Sequence, residues 1–334
     1  MNFINFTDYK QSNRSYTGNA GLKRGIIIDD ENWFLKFPKN TTGFRNMEIS
    51  YTTSPLSEYI GSQIYDSVGI DVHSTMLGRF NNKVVVACKD FRTPGEELVE
   101  FRAIKNDYIE GLEEKLSSVS DGSDTHLSAI IAIMDKNNTF SEMPELKERF
   151  WDMFVVDALI GNNDRNNGNW GLLINYTTSE KRLAPVYDNG ASFSGKLSES
   201  QMQNILNDNK RFHQSVIDGR TCAFLDDNNR EINPLKYIQG KQNPDCTKAL
   251  ARIMSKVNTD AILEMIDKIP NEVDGLKITS DIQKEFYKKC VQYRYDEILY
   301  PTVMELENQS TALNRTSQVI LPNEIPGTGS ISFE

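Results

Sequence analysis

The sequence predicts an α+β protein of two lobes, a small β-rich one followed by a larger helical one. Three observations carry this. From residue 16 to 91 short apolar runs alternate with turn residues, whereas beyond "FRTPGEE" apolar residues recur at three- and four-residue spacing. The chain, at 334 residues, is also long enough to divide its core between two lobes.

The first lobe spans residues 1–92. Its strands are "RGIIID", "NWFLKF", "STMLGRF" and "KVVVACKDF", and one helix, "SPLSEYIGSQIYDSVG", interrupts them. Ser54 reads as its N-cap, Pro55 as its first helical residue, and Gly69 as its left-handed stop. Residues 93–300 follow as the helical lobe. Helices are expected over "EELVEFRAIKNDYIEGLEEKL", "HLSAIIAIMD" and "MPELKERFWDMFVVDALI". A hairpin comes next, "WGLLINYTTSEKRLAPVYD", then a polar loop, "SGKLSESQMQNILNDNKRF", then further helices. Residues 301–334 form an extension whose end, "LPNEIPGTGSISFE", reads as flexible. Residues 194–245 carry no pattern that assigns a role.

Composition excludes several function classes. Asp and Glu outnumber Lys and Arg 47 to 37, a balance that repels polyanions and argues against direct nucleic-acid binding. No apolar run approaches the roughly 20 residues of a membrane span, and the start lacks the pattern of a signal peptide. Cys88, Cys222, Cys246 and Cys290 are far apart, which suits reduced thiols and a cytoplasmic protein. His73, His126 and His213 are scattered too, and no Cys/His spacing offers a zinc site.

The stretch "GNNDRNNGNW", residues 161–170, concentrates Asn and Asp directly after an apolar helix. On its own it suits a polar turn. A calcium loop fails on detail: counting from Asn162, the sixth residue is Asn167 where glycine is needed, and the twelfth is Leu173 where glutamate is needed. The following hairpin supports a third reading. Antiparallel pairing around "NYTTSEK" would bring Asn169 and Asp188 to the same open end, with Asp164 on that rim. Two carboxylates and an amide that converge this way favour a hard cation such as magnesium, and with it phosphoryl transfer.

The spacing of Asp164 and Asn169 and the "YDNG" at 187–190 match the catalytic and metal-binding motifs of kinases. "DALIGNNDRNNGN" followed by "LAPVYDNGASF" resembles the HipA-like kinases, whose loop reads GN-x-D-R-H-x-x-N, and especially their short cell-translocating-kinase members. The resemblance implies a bilobal protein-kinase-like fold and a bacterial ATP- and Mg2+-dependent serine/threonine protein kinase. Asp164 would be the catalytic base, while Asn169 and Asp188 would bind the metal. The chain has Asn166 where the family commonly has histidine. No His-Arg precedes Asp164 and no Ala-Pro-Glu follows Asp188, so control by a phosphorylated activation loop is not expected.

A kinase needs a nucleotide end, and "YTGNAGLKRGIII" supplies a glycine turn before a strand. By the same resemblance Gly18, Asn19, Ala20 and Gly21 would cradle phosphate, with Lys23 closing the loop. Lys36 would pair with the ATP phosphates and Glu58 would orient it. The helical wheel, however, turns Glu58 away from the Leu56, Ile60 and Ile64 stripe, which leaves an exposed glutamate as the alternative. The main chain of Ala87, Cys88 and Lys89 would hold adenine. In the family a loop serine is autophosphorylated; here Tyr16 aligns with it, flanked by Ser15 and Thr17.

A protein is the expected substrate. The family also implies a small DNA-binding antitoxin as partner, less firmly here because full-length HipA toxins carry an extra subdomain ahead of the glycine loop, where this sequence has only residues 1–15. Secretion as an effector without a signal peptide is a further reading. A small-molecule or lipid kinase would need the same base and metals, and a nucleotide-binding module without turnover is the remaining alternative.

Overall fold

Five strands, β1 (Ile4–Asn5), β2 (Lys23–Ile28), β3 (Glu31–Lys36), β4 (Thr75–Phe80) and β5 (Lys83–Lys89), form one sheet in the order β1-β4-β5-β3-β2. Only the β1–β4 pair is parallel among them. The structure, a computed structural model, describes residues 2–16, 23–43, 47–105 and 125–319, with side chains as far as 309. Alternation along the strands sends Ile26, Trp33, Leu35, Val85 and Ala87 into one small core, while Leu77, Val86 and Cys88 face helix α1 (Ser54–Ser67). Leu56, Ile60 and Ile64 of α1 complete that second core.

Helix α1 starts one residue earlier than expected. Thr53 is the N-cap, without a side-chain cap bond, and Ser54 is already helical. Gly69 does take the left-handed conformation, φ +71°.

The expected helix over residues 96–116 is corrected. Glu96–Glu100 is a strand, β6, residues 101–105 are helical, and 106–124 lie outside the described residues. Its partners explain the strand: Leu98 pairs with Leu173, Val99 with Leu172 and Glu100 with Gly171 of β7 (Gly171–Asn175), which pairs on its other edge with β8 (Lys181–Leu183). Long-range pairing overrides a local helical spacing. The approach at Gly171 is tight, because a Cβ there would lie 2.1 Å from the Val99 carbonyl oxygen. Gly171→Ala should therefore lower the urea midpoint, with a loss of about 1–3 kcal/mol, the usual range for overpacking.

The helical lobe contains α2 (Leu127–Lys136), α3 (Asn138–Glu142) and α4 (Glu145–Ile160), then α5 (Glu199–Leu206), α6 (Asn209–His213), α7 (Pro234–Gln239), α8 (Pro244–Met254), α9 (Thr259–Asp267) and α10 (Asp281–Arg294). The stretch expected as polar loop over 194–212 thus holds two helices. Ser198 and Gln201 make a reciprocal capping box, and Met202 and Leu206 bury one face of α5. The last helix, α11 (Tyr300–Val319), extends into the predicted C-terminal extension; residues 320–334 lie outside the described residues.

Helix α4 is buried along most of its length and delivers the polar loop. It ends at Gly161, φ +69°, and Arg294 of α10 closes it from below. The buried Arg294 donates to the Leu159 carbonyl at 3.0 Å and to the Val216 carbonyl at 3.2 Å. A cation is favourable at a helix C-terminus, where unpaired carbonyls gather. Gly161 also leaves room for it, since a Cβ would come within 2.8 Å of the guanidinium.

Among the described residues no helix is long and apolar enough to cross a membrane. All four cysteines are buried and outside any disulfide.

Candidate active site

The polar loop is shaped by its own asparagines. Buried Asn162 donates to Asp157 Oδ1 at 3.0 Å and accepts from the Asp164 amide at 3.1 Å. Asn166 donates to Asp164 Oδ1 at 3.1 Å, and the Asn169 side chain donates to the Asp164 carbonyl at 2.5 Å. Asp164 itself is exposed at the loop's crest. Asn166, which stands where the resembled loop has histidine, thus touches the carboxylate of the candidate base.

Beneath the loop lies a buried ionic hub that sequence spacing does not show. Arg165 binds Asp157 through Nε at 2.8 Å and Nη2 at 3.1 Å, and also reaches the carbonyls of Asn169, at 3.1 Å, and Tyr187. It also donates to Asn189 Oδ1, at 2.6 Å, and its guanidinium lies over the Tyr65 ring. Tyr65 of α1 donates to the same Asp157 at 2.7 Å. One guanidinium therefore fastens the loop after α4 to the segment carrying Asp188. The only sequence signal is an aspartate inside the apolar run "FVVDALI".

Asp188 follows the β7–β8 hairpin. The returning chain leaves that hairpin after Leu183 and forms a bridge between Val186 and Val72 of the first lobe. Asp188 adopts φ +65°, a conformation that costs a non-glycine residue energy and is held here by its surroundings. Lys36 of β3 reaches it at 2.6 Å and reaches Glu58 of α1 at 2.9 Å. Glu58 is only 1% exposed, so the surface alternative is excluded. The helical wheel misleads because α1 is covered on a second side, by residues 188–190 and by His73, whose Nε2 lies 2.9 Å from Glu58 Oε1.

The charges of this trio support one another. Burial alone would raise the Glu58 and Asp188 carboxyls, but the Lys36 ammonium, joined at Glu58 by His73, outweighs it and holds both below the usual carboxylate range. Burial would likewise depress Lys36, and the two carboxylates raise it above the usual lysine range. Lys23, cross-strand from Lys36, is lowered by burial and by the Lys36 charge.

Lys23, Lys36 and Asp188, though not Glu58, open onto a cleft of about 630 Å3 between the lobes, within the usual range for small-molecule sites. Asp164, Asn169 and Asp188 line it at one end, and Lys23 and Lys36 line it as well. Gly18, Asn19, Ala20, Gly21 and Thr17 lie outside the described residues. Ser15 and Tyr16 line the cleft; the Tyr16 ring stacks on Phe34 at 4.7 Å, and its hydroxyl donates to Asp90 at 3.0 Å.

Ala87, Cys88 and Lys89 do not line the cleft. They belong to β5, which is paired on both edges: Cys88 lies opposite Phe34 on one side and Thr75 on the other, and the Lys89 amide is bonded to the Ser74 carbonyl. The next three residues, Asp90, Phe91 and Arg92, line it instead. Arg92 grips both Asp90 oxygens, at 3.0 and 2.9 Å, and Arg14 donates to Oδ2 at 2.7 Å. Burial raises the Asp90 carboxyl, but these arginines bring it down to about 2.

Asn169 and Asp188 offer an amide and a carboxylate on this cleft, hard oxygen donors of the kind magnesium takes while keeping positions for phosphate oxygens and water. The residues present therefore fit such an ion. Glu58, His73 and Cys88 also converge, with ligand atoms within 4.8 Å of one another, a grouping that sequence spacing did not reveal. Glu58 already carries the Lys36 ammonium, which opposes a cation there.

Residues 19–261 match the family described as HipA-like C-terminal domain. The chain is 35% identical over 286 residues to the serine/threonine-protein kinase CtkA of Helicobacter pylori (strain J99), an alignment covering 86% of this chain and 83% of that one. The crystal structure of a Helicobacter pylori proinflammatory kinase CtkA superposes with a TM-score of 0.80 at 32% identity, covering 91% of this chain and 98% of the other.

Proposed function

The chain belongs to the HipA-like C-terminal domain family and has its bilobal protein-kinase-like fold, and from that premise we propose that it is a magnesium- and ATP-dependent serine/threonine protein kinase. In this reading residues 1–92 hold the nucleotide, residues 93–300 supply the base and metal ligands, and 301–334 are an extension. One observation carries it: Lys36 joins Glu58 to Asp188 on the cleft that Asp164 and Asn169 also line. A lysine oriented by a helix glutamate, beside a metal-binding aspartate, is the arrangement protein kinases use.

The roles follow from position. Lys36 exchanges part of its pairing with Asp188 for the nucleotide phosphates, and Glu58 keeps it in place. Asn169 and Asp188 would hold the ion, which would supply charge neutralisation at the phosphates. Asp164, exposed on the cleft, accepts the proton of the acceptor hydroxyl as its oxygen attacks the terminal phosphorus and the bond to the leaving diphosphate breaks. Asn166 steadies that carboxylate.

Incubation with labelled Mg-ATP, with and without cell lysate, tests the assignment. Label in protein that depends on Asp164 is expected. Label confined to small molecules would assign the chemistry to a different acceptor class. Ser15 on the cleft is the simplest candidate for self-modification, because the Tyr16 hydroxyl is engaged by Asp90 and burial, first, and the Asp90 charge raise its pKa. Intact mass after Mg-ATP should show phosphate on the peptide containing Ser15; an unmodified peptide rejects it.

A further inference from the structure

In "YDNG" the residue after the metal-binding aspartate is an asparagine that is fully buried and has all its polar groups engaged. Its amide N–H donates to Glu58 Oε1 at 3.1 Å. Its side-chain nitrogen donates to Ser62 Oγ at 3.1 Å, and its side-chain oxygen accepts from Arg165 at 2.6 Å. Its carbonyl accepts from the Ser192 amide at 3.2 Å. The orientation is chemically fixed, because a guanidinium has only donors and must face the amide oxygen, leaving the NH2 for Ser62.

Asn189 therefore stands between two elements that have no reason to move together on sequence grounds. One is α1, with Glu58 and Ser62 a turn apart on the same side. The other is the catalytic loop, through Arg165 and Asp157. A mid-helix glycine completes the fit: at Gly61 a Cβ would come 2.9 Å from the Asn189 Cβ, so α1 lies as close to Asn189 as it does only because that position has no side chain. Glycine inside a helix is unfavourable, and close approach is its compensation here.

We propose that Asn189 is a positioning residue that latches α1 to the catalytic loop, so that Glu58 is presented to Lys36 in register with Asp164. The proposal rests on the kinase reading above. It assigns to the middle residue of this motif a task that no apolar side chain could perform, since an apolar residue could neither accept from Arg165 nor donate to Ser62. Loss of the latch should act through Glu58, whose carboxylate would swing away from Lys36 with the helix.

A double-mutant cycle on the full chain separates this role from mere support of the fold. Asn189→Ala should lower kcat for phosphoryl transfer by about ten- to a hundred-fold, the coupling range of neighbours in one network, and by less than about two-fold when Glu58→Gln is already present. Equal losses in both backgrounds, or an unchanged kcat, would overturn the latch. If Asn189→Ala does not fold, Ser62→Ala in the same cycle removes one arm, with a smaller loss expected only beside intact Glu58 and equal losses again overturning the idea. Hydrogen exchange gives a readout independent of turnover: the amides of residues 54–67 should exchange faster in Asn189→Ala or Ser62→Ala than in wild type. Unchanged protection overturns the latch, whereas wild-type protein that transfers no label overturns the kinase reading and leaves the exchange result to decide the latch alone.

Discussion

Asp164→Asn should reduce phosphoryl transfer by about a hundred- to ten-thousand-fold, the usual contribution of a positioned general base, while leaving thermal stability almost unchanged. The two halves of that expectation have different origins. Activity depends on the carboxylate because an amide cannot take the acceptor's proton. Stability does not, because the side chain is exposed and its one side-chain partner, among the described residues, is the Asn166 amide. The loop keeps its shape through Asn162, Asn169 and buried Arg165, which bind main chain or other residues. Steady-state transfer from labelled ATP with parallel melting curves checks both. A variant with more than about a tenth of wild-type activity would remove Asp164 from the role of base.

Lys36→Met should have the opposite character, costing stability as well as activity. It removes the one cation that bridges two largely buried carboxylates, and breaking a buried pair from one side costs about 3–5 kcal/mol because a desolvated charge is left behind. The sign of the pH dependence follows. In wild type both carboxyls are held below their ordinary range, so their contribution is present above that range and is lost as pH falls through the folded-state values. In the variant burial is no longer offset by that ammonium, so the carboxyls move upward from their wild-type values, and protonation then relieves the repulsion. The stability gap between the two proteins should therefore be widest near neutral pH and narrow toward pH 5. Urea unfolding at both pH values measures it; a gap that is constant or widens in acid contradicts the pairing. Asp188→Asn is the informative contrast. Lys36 keeps Glu58, so activity should be lost with far less effect on stability.

How much of this was legible in the sequence depends on how far apart the determining residues lie. Strands β2 to β5 of the first sheet announced themselves as short apolar runs between turn residues, whereas the two-residue β1 did not, and the spacing of Asp164, Asn169 and Asp188 singled out three residues that share one cleft. Strand β6 was misread because its conformation is set by β7, some 70 residues later, and not by its own helical periodicity. Ala87 to Lys89, expected to hold adenine, spend their main chain on a strand flanked on both sides, and along this segment the residues lining the cleft start at Asp90, where that pairing stops. Glu58 looked exposed because a helical wheel assumes one buried face, whereas α1 has two. The Arg165 hub was invisible because Asp157, Asn189 and Tyr65 come from three separate segments.

Arg294 of α10 ties down the end of α4, which delivers the asparagine loop, and this has a consequence for the order of synthesis. A nascent polypeptide leaves the ribosome from its N-terminus, so the sheet, α1 and the asparagine loop all emerge well before α10. Until residue 294 arrives, the Leu159 carbonyl lacks its guanidinium donor, while the loop's own contacts through Asn162 and Arg165 to Asp157 need only residues already made. The helix that delivers the loop thus gains this buried donor only after every residue that lines the cleft has been made.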